Sequence, residues 1–343
     1  MSNQPSGSGR LPAVRPVPVE IASVEQIRSP VLEQLALVDE RICQSLHSEV
    51  ALVSEISTYI VDSGGKRLRP LLVLLGAEAF GQPGHAHIDL AAIIEFIHTA
   101  TLLHDDVVDA SSLRRGKQTA NAIWGNEASV LVGDFLYSRA FQMLVEVGSM
   151  RIMEIMAHTT NVIAEGEVLQ LLNCNDPDTT EERYLEVIRS KTAKLFEAGA
   201  MVGAVLAARS TRDERNMANY GLRLGTAYQL VDDVLDYRGS TDSIGKNIGD
   251  DLAEGKPTLP LIHAMRTGSP SEVALVRRAI EHGESKLIAD VIDVVESTGG
   301  IAYTARAARH EADCALESLA DVPESPYKEG LEQLAEFAIS RTY

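Results

Sequence analysis

The stretch that decides the fold is Leu103-His104-Asp105-Asp106-Val107-Val108-Asp109, which follows a long apolar run from Leu90 to Leu102. The run predicts a buried helix. If that helix continues, Asp105 and Asp109 lie one turn apart on one face, with Asp106 beside them. Three crowded carboxylates at the end of an apolar helix repel one another and lose hydration, so something cationic must offset them. The stretch therefore predicts a binding site for positive charge.

The same pattern recurs as Asp232-Asp233-Val234-Leu235-Asp236, after a second apolar run. Two such clusters on two helices predict carboxylates that face each other across a gap. Oxygen ligands of this kind suit Mg²⁺, which is commonly shared between one or two carboxylates and the phosphates of a substrate. A solvated acidic helix end is the simpler explanation of one cluster, and the repetition argues against it for both.

Composition favours a single all-helical domain. The chain has 343 residues, of which 45% are apolar but only 5% aromatic, so the core must be built from Leu, Ala, Ile and Val. Strand-like alternation is rare. Residues 1–22, rich in Ser, Gly and Pro, are expected to be a flexible tail, and residues 23–343 one domain. The net charge of -18 excludes a general nucleic-acid binder.

The cysteines and the hydropathy pattern predict a cytoplasmic protein. Cys43, Cys174 and Cys314 are far apart and form no Cys-x-x-Cys pair, which is typical of reduced thiols. The sequence has no run of uncharged apolar residues long enough for a membrane span, and its N-terminus does not resemble a signal peptide. We expect a soluble chain, or at most a peripheral contact with a membrane.

Basic residues follow each of three breaks in the helical pattern. They are Lys66, Arg67 and Arg69 after Gly64-Gly65, then Arg114 and Arg115 after the first acidic cluster, then Lys246 and Lys256 after the second. Singly, each is more often a surface charge. Together with the acidic clusters they predict a split site for two diphosphates, one bridged by metal and one held by side chains alone.

His98 lies seven residues before Asp105, on the same side of the predicted helix and two turns deeper. A lone helical histidine is more often a packed core residue, but here it is placed to donate to a phosphate. Glu95-Phe96-Ile97-His98 also matches the Glu-x-x-His unit of di-iron helical bundles. That site needs a second such pair, which the sequence lacks, so the di-iron hypothesis is weak.

Seven motifs stand in order along the chain: Gly64-Gly65-Lys66-Arg67-Leu68-Arg69-Pro70, Leu103-His104-Asp105-Asp106-Val107-Val108-Asp109, Arg114-Arg115-Gly116, Gly133-Asp134-Phe135-Leu136, Lys191-Thr192, Tyr228-Gln229-Leu230-Val231-Asp232-Asp233-Val234-Leu235-Asp236 and Gly245-Lys246-Asn247-Ile248-Gly249-Asp250-Asp251. As a series they resemble the trans-isoprenyl diphosphate synthase family, over about residues 25 to 343. The resemblance implies an all-α fold of antiparallel helices around a deep cavity, usually a homodimer. It also implies Mg²⁺-dependent head-to-tail condensation of isopentenyl diphosphate with an allylic diphosphate.

The resemblance also implies a role for each matching residue, stated here in three groups. Mg²⁺, as about two or three ions, would be bound by Asp105, Asp109 and Asp232, with Asp106, Asp233 and Asp236 as supporting catalytic residues. The allylic diphosphate would be held by Arg114, Lys191 (also assigned to the catalytic set), Thr192, Gln229 and Lys256. Isopentenyl diphosphate would be held by Lys66, Arg69, His98 and Arg115.

Product length is predicted from Ala100 and Thr101, which lie about one turn below the metal end of the first acidic helix. Short-chain members of the family often place aromatic residues there as a floor. Small residues instead predict an open tunnel and a product of about eight to ten isoprene units, as in synthases of quinone side chains. The alternative is that Ala100 is small only for helix packing and that the floor lies deeper, giving a C15–C20 product.

Two further classes compete with this prediction. A non-catalytic partner subunit of a two-chain synthase usually loses its acidic clusters, and both are intact here. A class I terpene cyclase normally carries an Asn/Ser/Glu metal motif at the second position, where this chain has Asp232-Asp233, and it would leave Lys66 and Arg69 without a purpose.

Overall fold

The fold was analysed in a computed structural model, which describes residues 22–62, 64–82, 84–238, 249–283 and 285–341. The α-helices in these ranges, numbered here in chain order, are α1 Val24–Arg28, α2 Leu32–Ser45, α3 Ala51–Asp62, α4 Leu68–Ala79, α5 Ala86–Val108, α6 Ala120–Trp124, α7 Asn126–Val147, α8 Met150–Asn173, α9 Glu181–Ile188, α10 Lys194–Leu206, α11 Thr211–Arg238, α12 Asp250–Ala253, α13 Leu259–Thr267, α14 Pro270–His282, α15 Ile288–Ser297, α16 Gly300–Ser318 and α17 Pro326–Ser340. Short 3₁₀ turns precede α2 (Ser29–Val31) and α15 (Ser285–Leu287). The predicted all-α class is confirmed.

Helix α5 is the central helix, as its sequence requires. It packs against α2, α4, α7 and α10, and its residues from Leu90 to Ile94 are fully buried. Of the helices in the described ranges, it alone has the length and apolar composition of a membrane span, but 72% of its most apolar window is buried inside the protein. Its hydrophobicity is therefore that of a core helix.

The second acidic helix, α11, has a similar position on the other side of the bundle. It packs mainly against α10 and α16, and small residues allow the closest of these approaches. At Gly221, an added Cβ would lie 2.3 Å from the carbonyl oxygen of Phe196 on α10. Both acidic clusters are thus placed by helices that are fixed along their length by core packing.

Side-chain caps fix several helix starts. The Ser23 and Ser269 side chains each accept from a backbone N–H three residues later in a full capping box, and Thr180 accepts from the N–H of Arg183 at the start of α9. Such caps satisfy backbone donors that a helix start leaves unpaired. The cap at Thr180 matters most here, because α9 leads directly into the residues that face the site.

Two local features of the fold lie close to the acidic clusters. The basic segment after the first cluster contains an antiparallel hairpin of Leu113–Arg114 and Lys117–Gln118. Between α9 and α10 the helix is interrupted by a π-helical turn over Arg189–Ala193. Such turns add a residue to the helix and are frequent at functional sites. Residues 1–21 and 239–248, and with them most of the predicted tail and Lys246, lie outside the described residues.

Candidate active site

The main cavity opens between the ends of the two acidic helices, and water-sized molecules can occupy about 170 Å³ of it. Its charged and amide-bearing lining residues come from α5, the hairpin, α8, the π turn, α11 and the segment around α12: Asp105, Asp109, Arg114, Gln170, Asn173, Lys191, Gln229, Asp233, Asp251 and Lys256. Carboxylates and cations therefore face one another across a single space. The two acidic helices therefore border one cavity, as the sequence predicted.

Asp105 is bridged by a lysine to a second carboxylate that the sequence did not single out. The Lys191 Nζ atom lies 3.3 Å from an Asp105 carboxylate oxygen and 2.6 Å from Glu167 Oε2 on α8. Burial lowers the pKa of Lys191, but the two carboxylates outweigh that effect and the net shift is upward. Burial and the charge of Asp105 raise the pKa of Glu167 to about 7. Lys191 thus remains a cation between two acids.

The π turn that carries Lys191 is held against α8 at a glycine. An added Cβ at Gly166 would lie 2.7 Å from the backbone nitrogen of Lys191 and 2.8 Å from the Cβ of Ser190. Only a residue without a side chain permits this approach. Glycine therefore lets the lysine reach the cavity from a backbone that touches the neighbouring helix.

Asp109, the last carboxylate of the first cluster, has its own lysine. The Lys256 Nζ atom lies 3.0 Å from Asp109 Oδ2 and also contacts Glu254. Burial lowers the pKa of Lys256, but Asp251, Asp109 and Glu254 raise it further than burial lowers it. Asp105 and Asp109 therefore each pair with one partly buried lysine that lines the same cavity.

Asp106 differs from its two neighbours because it points into the protein. It is fully buried, and its Oδ1 accepts from both the Nε and an Nη atom of Arg114, each at 2.7 Å. Asn121 donates to its carbonyl oxygen at 3.1 Å. Asp106 therefore fixes Arg114 at the cavity wall, and its predicted catalytic role stays a prediction.

In the second cluster it is the middle carboxylate, Asp233, that lines the cavity. Its Oδ1 accepts from Gln229 Nε2 at 2.8 Å, and its Oδ2 accepts from the hydroxyl of Tyr184 on α9. Gln229 in turn accepts from Thr192 Oγ1 at 3.2 Å. Burial and the nearby charge of Asp251 raise the pKa of Asp233 to about 8, although the two donated bonds oppose the rise.

Asp232 and Asp236 do not line the cavity in this structure. Asp232 is partly exposed, and its carboxylate accepts from Arg341 at 2.7 Å, just after the last helix. The same guanidinium stacks on the Tyr228 ring at 3.4 Å and donates to the Tyr228 carbonyl. Asp236 is buried, and its carbonyl oxygen accepts from the N–H of Gly249.

Of the residues predicted to hold isopentenyl diphosphate, Arg115 lines a second, much smaller cavity of about 20 Å³. Arg115 lines that cavity and donates to the carbonyl of Gly64, whereas Arg114 lines both cavities. Arg69 donates to His98 Nε2 at 3.1 Å, which leaves the ring proton on Nδ1. Burial and Arg69 lower the pKa of His98 well below its usual value, so the imidazole is neutral.

Lys66 and Arg67 differ in their contacts: Lys66 is exposed, whereas Arg67 forms ion pairs within the protein. Lys66 is exposed, with its ammonium 5.0 Å from the centre of the Phe337 ring. Arg67 instead pairs with Glu95 at 2.7 Å and with Asp39 at 3.7 Å. The Glu-x-x-His pair therefore serves two arginines: Glu95 accepts from Arg67, and His98 accepts from Arg69.

Of the two residues predicted to set product length, Ala100 lies in the core and Thr101 is only partly buried. Ala100 is fully buried, and Thr101 donates from its hydroxyl to the carbonyl of His98 at 2.8 Å. Neither residue lines the main cavity described above. Their predicted role in an open tunnel stays a prediction.

The main cavity suits a hard divalent cation bound together with phosphate oxygens. No group of three or more His, Cys, Asp or Glu side chains converges on one point in the described ranges. Mg²⁺ does not need such a group, because it is usually held by one or two carboxylates with waters and substrate phosphates. Asp105, Asp109 and Asp233 supply oxygen ligands only, which is the ligand type that Mg²⁺ prefers. The donor set therefore fits.

The structure thus defines an all-α protein with a cavity where acidic helix ends face lysines, beside a second basic group. The profile of the polyprenyl synthetase family matches residues 50–297, and the chain belongs to that family.

Individual relatives agree in length and fold. Octaprenyl diphosphate synthase of Escherichia coli is 51% identical over 320 residues, covering 93% of this chain and 99% of that protein. A polyprenyl synthase from Caulobacter crescentus, solved with calcium and isoprenyl diphosphate, is 44% identical with a TM-score of 0.91 and covers 94% of this chain and 99% of that one. A decaprenyl diphosphate synthase from Rhodobacter capsulatus is 42% identical with a TM-score of 0.88, covering 93% and 99%. The all-α isoprenoid synthase fold is thereby confirmed.

Sequence reasoning missed three residues that contact the predicted site: Glu167, Tyr184 and Arg341. Each touches a predicted residue from far away in the chain; Arg341 is 109 positions from Asp232 and Tyr184 is 49 from Asp233. A glutamate, a tyrosine and a terminal arginine in ordinary helical contexts give no local signal. Only the packing of the helices reveals them.

Proposed function

We propose that this protein is a Mg²⁺-dependent prenyltransferase that adds isopentenyl diphosphate units head-to-tail to an allylic diphosphate, giving an all-trans polyprenyl diphosphate of about C40–C50. The observation that carries the proposal is the main cavity itself, where Asp105, Asp109 and Asp233 face Lys191 and Lys256. Similarity supports the long product, since identity is 51% to an octaprenyl synthase and 34% to a short-chain synthase.

The cavity residues divide the work on the allylic diphosphate. Bound Mg²⁺ would neutralise charge on the departing diphosphate. Lys191, Lys256 and Arg114 would draw off the remaining charge from the cavity walls, where burial strengthens each ion pair. Because Asp105 and Asp109 already pair with the two lysines, the substrate and its metal would insert between existing partners. The lysines would then turn from carboxylate to phosphate over a short distance.

The basic group beside the smaller cavity would hold the second substrate without metal. Lys66 is exposed and Arg115 points at the Gly64 carbonyl, so both have donors that phosphate oxygens can recruit. Neutral His98 would donate from Nδ1 while Arg69 fixes Nε2. Condensation forms a carbon–carbon bond as the allylic carbon–oxygen bond breaks, and one proton is lost. We infer that the departing diphosphate accepts that proton.

Product analysis tests the proposal directly. Purified protein with Mg²⁺, labelled isopentenyl diphosphate and farnesyl diphosphate should give products that, after dephosphorylation, run at about C40–C50 on chromatography. Products that stop at C15–C20 would support the condensation reaction but contradict the long-chain assignment. Absence of elongation would contradict the enzymatic proposal and favour a partner subunit.

Product length should respond to a bulky side chain at position 100. If the growing chain passes along α5, Ala100→Phe should shorten the product by several isoprene units. Overpacking a buried site costs about 1–3 kcal/mol, so a folded variant is expected. Circular dichroism and thermal unfolding establish that fold. A stable Ala100→Phe variant with unchanged product length would place the tunnel elsewhere.

The homodimer belongs to the proposal as well. Large apolar side chains are exposed on α6 and α7, with Ile123 at 42% and Leu131 at 66% exposure, and such residues are typical of a covered interface. Leu131→Glu should shift sedimentation from dimer to monomer, and a monomeric wild-type chain would contradict the assignment.

We place the protein in the cytoplasm, in accord with its three free cysteines, with peripheral membrane contact during product release.

A further inference from the structure

Tyr184 ends a hydrogen-bonded chain that runs along the wall of the main cavity. Thr192 donates to Gln229 at 3.2 Å, Gln229 donates to Asp233 at 2.8 Å, and the Tyr184 hydroxyl donates to the other oxygen of that carboxylate. All four residues line the cavity. Thr192, Gln229 and Asp233 already have predicted roles, and Tyr184 is the member without one.

The burial of the Tyr184 ring holds its hydroxyl in place against Asp233. The side chain is only 6% exposed and packs with Ile188, Ala227 and Leu230, so the ring has one orientation. Asp233 is 2% exposed and can gain little from water. A buried carboxyl group that is hydrogen-bonded at both oxygens cannot rotate without breaking one of those bonds. Tyr184 and Gln229 therefore set the plane of the Asp233 carboxylate.

The same contact joins two elements that carry opposite charges. Tyr184 belongs to α9, which continues directly into the π turn bearing Lys191 and Thr192, whereas Asp233 belongs to α11. One hydroxyl thus ties the acidic helix to the segment that presents the cation. Without that hydrogen bond the Asp233 carboxyl group could rotate, and the distance between the π turn and α11 would no longer be fixed.

We propose that Tyr184 is a positioning residue, which orients Asp233 and spaces the π turn from α11 so that metal and diphosphate bind together in the main cavity. The residue itself touches neither reacting carbon. This inference takes its substrate class from the proposed function, but its effect on the binding of Mg²⁺ with diphosphate does not depend on product length.

The test is Tyr184→Phe, which keeps the ring and removes only the hydroxyl. The matched control is Tyr220→Phe: Tyr220 lies on α11, is fully buried, and donates to the carbonyl of Leu331 at 2.7 Å, away from the cavity. Both variants lose one buried hydrogen bond. We measure the thermal shift on adding Mg²⁺ with inorganic diphosphate, the half-saturating Mg²⁺ concentration, and kcat and KM with farnesyl diphosphate.

Tyr184→Phe should lower kcat by about ten- to a hundredfold, raise the half-saturating Mg²⁺ concentration several-fold, and lose at least half of the ligand-induced thermal shift. Tyr220→Phe should keep all three near wild type. The proposal is overturned if both variants lose the same stability while Tyr184→Phe retains the full thermal shift and kcat.

A rescue variant distinguishes lost donation from lost folding. p-Aminophenylalanine at position 184 keeps the ring and supplies an N–H donor, so it should recover most of the thermal shift even if Tyr184→Phe folds poorly. A folded rescue variant without recovery would overturn the proposal. If wild type shows the thermal shift but no chain elongation, the proposed function fails while the positioning role is still tested.

Discussion

The two acidic clusters have the same spacing but present different members to the cavity. In the first cluster, the outer carboxylates Asp105 and Asp109 line the cavity and Asp106 is buried. In the second, the middle carboxylate Asp233 lines it, whereas Asp232 pairs with an arginine from the chain's end. Identical motifs therefore contribute different carboxylates.

The difference follows from where each cluster lies on its helix. The first ends α5, so Asp109 is the C-cap and its neighbours are a hairpin and loops from which cations reach in. The second lies within the last turns of α11, which remains packed along its length against α16. The cavity-facing carboxylates of the first cluster therefore pair with lysines, whereas the cavity-facing carboxyl of the second accepts from two neutral donors.

The largest effect is expected at the first cluster. Asp105→Asn removes a charge that faces the cavity and should lower kcat about a thousandfold, because metal and diphosphate lose an anchor. Steady-state kinetics with saturating Mg²⁺ measure it. Asp89→Asn is the control: Asp89 is on the same helix, about 24 Å away by helical rise, and pairs with Arg41 at 2.6 Å. Equal losses in both variants would contradict the assignment.

The buried member of the first cluster should matter most for stability. Asp106→Asn leaves Arg114 without its carboxylate partner and should reduce the free energy of unfolding by about 3 kcal/mol. Asp232→Asn breaks a pair whose aspartate is 41% exposed and should cost less than about 1 kcal/mol. Urea denaturation compares the two. Similar costs would mean that the clusters are not as different as their burial suggests.

The next largest effect on activity is expected at Lys191, the lysine that pairs with Asp105. Lys191→Gln removes the cation shared by Asp105 and Glu167 and should reduce kcat/KM for the allylic substrate by about ten- to a hundredfold. Lys194→Gln, three positions on, loses only its contact with Glu197 at 2.8 Å and should stay within about twofold of wild type. A normal kcat/KM in Lys191→Gln would show that Asp105 does not need its lysine.

These contrasts define what the sequence was able to predict. Helix periodicity and the acidic spacing located both clusters, because those features are local and chemically unusual, whereas Lys191 was assigned only through the family resemblance. The sequence did not reveal which carboxylate of each cluster faces the cavity, since that depends on helix ends and neighbours. It also did not reveal Glu167, which meets Lys191 only because α8 touches the π turn at Gly166. The hairpin after Asp109 was missed because its strands are two residues each.

The smallest effect should come from releasing Asp232. In this structure Arg341 neutralises that carboxylate, so a metal ion at Asp232 would compete with the guanidinium. Arg341→Gln should lower the half-saturating Mg²⁺ concentration about two- to fivefold, the range expected from a partly exposed ion pair. Arg309→Gln, which loses a 2.8 Å pair with Glu336 on the last helix, is the matched control. If Arg341→Gln instead raises the Mg²⁺ requirement, the arginine supports the metal site by holding Tyr228 and the end of α11 in place, and competition is excluded. Either result sharpens the contrast between the clusters, because the first has no arginine at its outer carboxylates within the described residues.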